Sequence, residues 1–309
     1  MSTPTPTRTT VQFASDDGNC GAWLYLPEGA APGRRVPIIV MAHGFSGVKE
    51  QRLDAFAERF VAAGYACLVF DYRHFGDSDG SPRELVSVKR QLQDWRNATA
   101  FARSVPAADP DRVVLWGTSF GGGHVLVTAA NDPRVAAVIA QCPFTDGRAA
   151  GLAMPPRTAL KLMGKAFKDV LHARRGQEPV RIDAMGRPGG VAVMTSPDAL
   201  PGFKALLAAS GLDRANIAVP ARVMFEVATY LPGRSAEKIT CPALFAVCLQ
   251  DSVAPAKTTI RHLGKAPRGT VKQYDTGHFD IYVGEPFEQV VRDQVAFLAA
   301  HVPLAVEGR

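Results

Sequence analysis

The feature that most constrains the fold of this chain is a rhythm: short, wholly apolar runs separated by amphipathic stretches. Residues 37–42, 66–70, 113–116 and 135–140 have the length of strands and no polar alternation, so each is read as a strand buried on both faces. Helical patterns lie between them. From 52 to 63, Leu53, Phe56, Phe60 and Val61 recur at helical spacing and Gly64 supplies a terminator. From about 82 to 104, Leu85, Val88, Leu92, Trp95 and Phe101 mark a second helix, and His124, Val125, Val127 and Ala129 mark a third. Strands and helices in strict alternation predict an α/β protein with a mostly parallel sheet covered by helices on both faces. Ligands of such sheets bind at the carboxyl ends of the strands.

The rest of the chain extends this plan. Residues 11–26 read as a hairpin turning at Asp16, Asp17 and Gly18, and Asp109–Pro110 is expected to break the chain before the strand at 113. The rhythm stops at Phe144 and resumes at Pro242, with a buried strand at 243–249, an edge strand at 270–274 and a closing helix at 287–298. The interval carries no clear strand. One amphipathic helix runs from about 156 to 172, with Leu160, Met163, Phe167 and Leu171 on one face and Lys161, Lys165, Lys168 and His172 on another. Shorter helical patterns lie near 203–209 and 223–229. A structureless loop of this length is implausible, so 144–240 is read as an inserted, mainly helical cap, and 1–143 with 241–309 as the core.

Composition excludes several function classes. The net charge of +6 is spread over interspersed basic and acidic residues, which does not predict nucleic-acid binding. No apolar run approaches a membrane span, and the first eight residues lack the apolar core of a signal peptide, so they read as a mobile tail. Cys20, Cys67, Cys142, Cys241 and Cys248 show no metal-ligand spacing and no Cys-x-x-Cys pair, which fits reduced thiols in a cytoplasmic setting. The acidic turns at 71–73 and 77–80 lack the spacing of a calcium loop and read as turns with local ion pairs, so no metal is expected. A homodimer is left open.

The strand at 113–116 runs into Gly117, Thr118, Ser119, Phe120 and Gly121, a Gly-x-Ser-x-Gly placed between a strand and a helix. That context makes Ser119 a candidate nucleophile, lifted clear of the sheet by a strained turn and facing the N–H groups that open the next helix. A Ser needs a general base, and the base needs an orienting carboxylate. His278 follows the last strand and a Gly; Asp251 follows the strand at 243–249. Asp146 is the rival acid, after the strand at 135–140. His43 reads as structural, His124 as packing beside or flooring the pocket, and His172, His262 and His301 as solvated. Two backbone donors are expected for a developing oxyanion: the N–H of Phe120, and that of Phe45 in the loop after the strand at 37–42. Met154, Met163, Phe167 and Met224 are candidates for an apolar substrate pocket. Basic residues between Arg148 and Arg187 read as a solvated face, with a rim for an anionic substrate as the sharper reading. A His base of ordinary pKa predicts a rate that falls below about pH 6.5.

Taken together, residues 43–50, 70–80, 117–122 and 277–280 resemble the α/β-hydrolase superfamily. They are most similar to dienelactone hydrolase-like proteins, to the core of Xaa-Pro dipeptidyl-peptidase-like serine hydrolases and to fungal polyketide transferases. The resemblance implies an eight-stranded sheet, a triad of Ser119, Asp251 and His278, and no cofactor. The chain differs from dienelactone hydrolase proper in having Ser119 where that enzyme has a Cys. The extra carboxy-terminal β domain of Xaa-Pro peptidases is not expected after the closing helix. The expected activity is cleavage of a small-molecule carboxylic ester through an acyl-enzyme. The alternatives are acyl transfer to an alcohol by the same residues, and a catalytically silent binding protein on this fold.

Overall fold

The computed structural model describes residues 7–152, 154–213 and 217–304. A hairpin of β1 (Thr7–Ser15) and β2 (Gly18–Leu26) leads into β3 (Val36–Ala42), α1 (Leu53–Ala62), β4 (Ala66–Phe70), α2 (Val88–Ser104), β5 (Ala108–Thr118), α3 (Phe120–Asn131) and β6 (Val135–Gln141). An intervening segment holds α4 (Gly147–Leu152), α5 (Pro156–Arg174), β7 (Arg181–Met185), β8 (Ala192–Met194), α6 (Ala199–Ala209), β9 (Ala218–Pro220) and α7 (Val223–Thr229). Then come β10 (Ala243–Cys248), α8 (Ala256–Leu263), β11 (Gly269–Tyr274) and α9 (Gly284–His301).

The eight-stranded sheet has the order β1-β2-β4-β3-β5-β6-β10-β11. The β1–β2 and β2–β4 pairs are antiparallel and the remaining pairs parallel. The order reverses after β4: the chain steps outward from β3 to β4, then returns past β3 to place β5 on its other side. Right-handed crossovers in opposite directions put α1 and α2 on opposite faces; α1 packs on α9, and α2 on α3. The reversal leaves an open crevice at the carboxyl ends of β3 and β5, the place where such sheets bind ligands. Ala42 pairs with Gly117 across it, so the loop after β3 lies beside Ser119. The central strands read as continuous apolar runs because both faces are covered: residues 38–42, 66–70 and 113–116 are fully buried.

Four local expectations are corrected. The helix expected from 82 begins at Val88, because the preceding residues are tied to the loop after β4. The Arg83 guanidinium donates to Ser78 O and Gly76 O, and Glu84 N–H donates to His74 O. Asp109–Pro110 does not break the chain; β5 runs through it, with a register shift opposite Val36 and Ile38 that spares the ladder a proline donor. The stretch read as strandless contains a separate sheet of order β8-β7-β9, whose strands are too short to show a period.

The fourth correction concerns α5, which buries the face opposite to the apolar one. Thr158, Leu162, Ala166 and Asp169 point inward, while Leu160 is 76% and Phe167 61% exposed. Asp169 fixes this orientation. Its fully buried carboxylate accepts from Val180 N–H, Arg222 N–H and Arg222 Nε, and a buried carboxylate with these partners is costly to turn outward.

Candidate active site

Ser119 joins β5 to α3 in a backbone conformation (φ 54°, ψ −118°) that non-glycine residues rarely adopt. Its neighbours over-determine it. Ser119 N–H donates to Gln141 O at 2.9 Å, and Ser119 O accepts from Phe144 N–H at 2.8 Å and Gly123 N–H at 3.1 Å. The flanking glycines answer to close approach: a Cβ on Gly117 would lie 2.3 Å from Gly121 O, and one on Gly121 2.4 Å from His43 O. The turn therefore sits wedged between β6 and the end of β3, with its hydroxyl facing the crevice.

β10 and β11 deliver the other two groups. Cys248 pairs with Tyr274, and beyond the ladder Leu249 N–H and Gln250 N–H donate to Tyr274 O and Thr276 O. The two following loops are thus held side by side. His278 Nε2 lies 3.0 Å from Ser119 Oγ, and His278 Nδ1 lies 2.6 Å from Asp251 Oδ2. Asp251 Oδ1 accepts from Val253 N–H at 2.8 Å and Ala254 N–H at 2.6 Å, so both carboxylate oxygens are engaged. His278 is only 2% exposed. Burial opposes its charged form, but the Asp251 carboxylate, with the Cys142 sulfur and Asp198 behind it, outweighs burial and pushes His278 up to about 9. That lies above the ordinary value expected from sequence.

The rival groups lie elsewhere. Asp146 Oδ1 accepts from Arg148 and Ala149 N–H at the start of α4, and its Oδ2 lies 3.2 Å from His262 Nε2. His262, expected to be solvated, is mostly buried by that pairing. His124 is buried between the Tyr230 hydroxyl (2.8 Å) and Gln91 Oε1 (2.9 Å); burial, and secondarily His43, push it down to about 3, so it stays neutral. His172 meets Glu178 O, and the His301 ring packs on Phe297. In the turns after β4, Arg73 pairs with Asp94 and Asp17, and Asp71 and Asp77 both pair with Lys49. Among the described residues, no group of His, Cys, Asp or Glu is arranged to hold a metal.

The loop after β3 closes on Ser119. A Cβ on Gly44 would lie 2.7 Å from Ser119 Cβ, so only a glycine lets the backbone approach this near. Phe45 follows it, and its ring meets that of Phe120 edge-on at 5.7 Å. Phe120 opens α3, where the first N–H groups have no acceptor within the helix. Two cavities open on Ser119. One of about 380 Å³ is lined by Phe120, Phe144, Met154, Val193, Met194 and Val253 among others. The other, of about 40 Å³, lies on the His278 side against Met185, Phe203, Phe279 and Tyr282.

Of the expected pocket residues, Met154 lines the larger cavity and the other three do not. Phe167 is on the outward face of α5, Met163 is half-buried at the margin of that face, and Met224 is packed into the core. Phe144 also lines the larger cavity, and its place just after the apolar run of β6 is the one sign of it in the sequence. Met194 and Val193, on the three-residue β8, carried no signal.

Comparison with known proteins agrees with this architecture. Residues 33–190 match the Hydrolase_4 family, described as serine aminopeptidase, S33. The chain is 55% identical over 294 residues to the quorum-quenching protein AidA of Acinetobacter baumannii (strain MDR-ZJ06), covering 95% of each protein. It is 27% identical over 313 residues to the polyketide transferase grgF of a Penicillium species, covering 98% of this chain and 99% of that one. The crystal structure of the α/β hydrolase GrgF from Penicillium sp. sh18 superposes with a TM-score of 0.81 at 24% identity, over 96% of this chain and 99% of that one.

Proposed function

The chain belongs to the serine aminopeptidase S33 family of α/β hydrolases, and from that premise we propose that it is a serine hydrolase that cleaves a small-molecule carboxylic ester through an acyl-enzyme on Ser119. The observation that carries the proposal is the unbroken line from Ser119 Oγ through His278 to Asp251, ending beside a large apolar cavity. In this reading His278 Nε2 takes the Ser119 proton as Oγ attacks the acyl carbon. Asp251 holds the Nδ1 proton and stabilises the imidazolium. The N–H groups of Phe45 and Phe120 receive the oxyanion. His278 then protonates the leaving alcohol, and later activates the water that releases the acid. The segment 144–240 acts as a cap that walls the larger cavity, and the site belongs to a reducing, cytoplasmic setting in which the five free cysteines persist. The test is turnover of aryl esters of graded size together with labelling of Ser119 by a fluorophosphonate. No turnover and no labelling would sink the proposal.

Two expected results attach to this reading. Because the base must be neutral and its pKa is raised, kcat/KM should rise with pH through an inflection near 9 rather than near 6.5. A pH–rate profile with chemistry rate-limiting checks this; an inflection at or below 6.5 counts against it. Val227 lines the large cavity, so Val227→Trp should raise KM for bulky acyl esters about tenfold and leave acetyl esters nearly unchanged. Equal effects on both substrates would remove the acyl group from that cavity.

A second reading, acyl transfer to an alcohol, is favoured by the full-length likeness to a polyketide transferase. The same residues serve both reactions, and the acceptor decides between them. Counting free acid against transferred ester in the presence of an alcohol separates the two.

A further inference from the structure

Loop 43–52 carries the Phe45 N–H, and its position depends on a buried charge cluster that the reaction does not touch. Lys49 and Asp71 are both 0% exposed. Lys49 Nζ donates to Asp71 Oδ2 at 2.8 Å and to Asp77 Oδ1 at 2.7 Å, and the Lys49 backbone N–H donates to Asp71 Oδ1 at 2.7 Å. That same Oδ1 lies 3.4 Å from His43 Nε2. A single carboxylate, on the residue that follows β4, thus contacts the loop on both sides of Phe45: His43 where it leaves β3, and Lys49 four residues beyond Phe45. The next residue braces the same end, since the Tyr72 hydroxyl donates to His43 O at 3.3 Å.

Both groups are charged. Burial disfavours the Lys49 ammonium, yet Asp71 and Asp77 lift its pKa above the ordinary lysine value. Burial likewise opposes the Asp71 carboxylate, yet His43 and Lys49 bring it below the ordinary range. Burying such a pair carries a large desolvation cost, and apolar residues of the same volume often fold as well. Packing alone therefore gives little reason for it. What the loop does require is fixity, because Gly44 must pass against Ser119 with no room for a Cβ.

We propose that Asp71 and Lys49 are positioning residues: together they clamp loop 43–52 on both sides of Phe45 so that the Phe45 N–H stays aimed at the oxyanion formed on the acyl group at Ser119. The inference rests on the acyl-transfer reading above. A clamp of this kind acts on the transition state, because a hydrogen bond to the oxyanion strengthens as charge develops. A purely structural pair would lower the melting temperature and leave the kcat of the folded protein unchanged.

The test compares Lys49→Met with Asp71→Asn, which is isosteric and still accepts the Lys49 N–H through its carbonyl oxygen. With an aryl ester, kcat should fall about 10- to 100-fold in Lys49→Met while KM moves less than about threefold. Affinity for an aryl trifluoromethyl ketone, whose adduct on Ser119 carries an oxyanion, should fall by the same factor as kcat/KM. Asp71→Asn should show a smaller loss with the same pattern. Folded variants with wild-type kcat and ketone affinity overturn the clamp, and so does a loss confined to KM. Should Lys49→Met not fold, Asp71→Asn decides on the same two readouts. A wild-type protein that turns over no acyl substrate and takes no label at Ser119 fails the acyl-transfer reading instead, so the two failures are distinguishable.

Discussion

Ser119→Ala is expected to lower kcat by about 10⁴-fold or more while the protein keeps its fold. The large factor follows from the geometry: Oγ is the atom 3.0 Å from His278 Nε2, and alanine offers no nucleophile in its place. Stability should change by less than about 1 kcal/mol. The strained backbone at φ 54° is already borne by a residue with a Cβ, and its clamps to Gln141, Phe144 and Gly123 are made by backbone atoms. Turnover of an aryl ester, fluorophosphonate labelling and a thermal melt check the three parts. Residual activity above about one per cent of wild type, with the fold intact, would remove Ser119 as nucleophile.

Asp251→Asn should cost about 10⁴-fold in kcat, although the side chain keeps its shape. The Val253 and Ala254 N–H groups, at 2.8 and 2.6 Å from Oδ1, require an acceptor there. Asparagine must therefore turn its carbonyl oxygen toward them and its NH₂ toward His278. Nδ1 then accepts, the ring proton moves to Nε2, and Nε2 can no longer take the proton of Ser119. The same change removes the charge that raises His278, so the pH inflection of any residual activity should move down from about 9 toward 6.5. A pH–rate profile and a melting curve of the variant check both effects. Wild-type kcat with an unmoved inflection would assign the orienting role to another carboxylate.

The alternation of strands and helices, the position of Ser119 on a strand-to-helix turn, and the strand-end positions of Asp251 and His278 were readable because each depends on a local pattern. A run buried on both faces is apolar throughout, and a turn that admits no Cβ is written as glycine. The lining of the cavity was not readable in this way. Met163 and Phe167 lie on an apolar helical stripe that would normally face a core, but the buried Asp169–Arg222 pair turns that stripe outward. Its partner is 53 residues away in the chain. Nothing local marks Lys49 as buried, and only the fold encloses it against Asp71 and Asp77.

Local sequence pattern was enough for an alternating α/β architecture, a serine set on a constrained turn, and a histidine and an aspartate at later strand ends. These follow from the period of side-chain burial and from steric limits on single residues, both of which act over a few positions. Tertiary contacts were needed to settle which histidine comes within hydrogen-bonding distance of Ser119, which carboxylate pairs with that histidine, and how far His278 is raised. They also settled which faces of 144–240 wall the cavity and how loop 43–52 is held. Those outcomes depend on distances between segments remote in sequence, and on the desolvation and charge fields that arise when such segments close on one another.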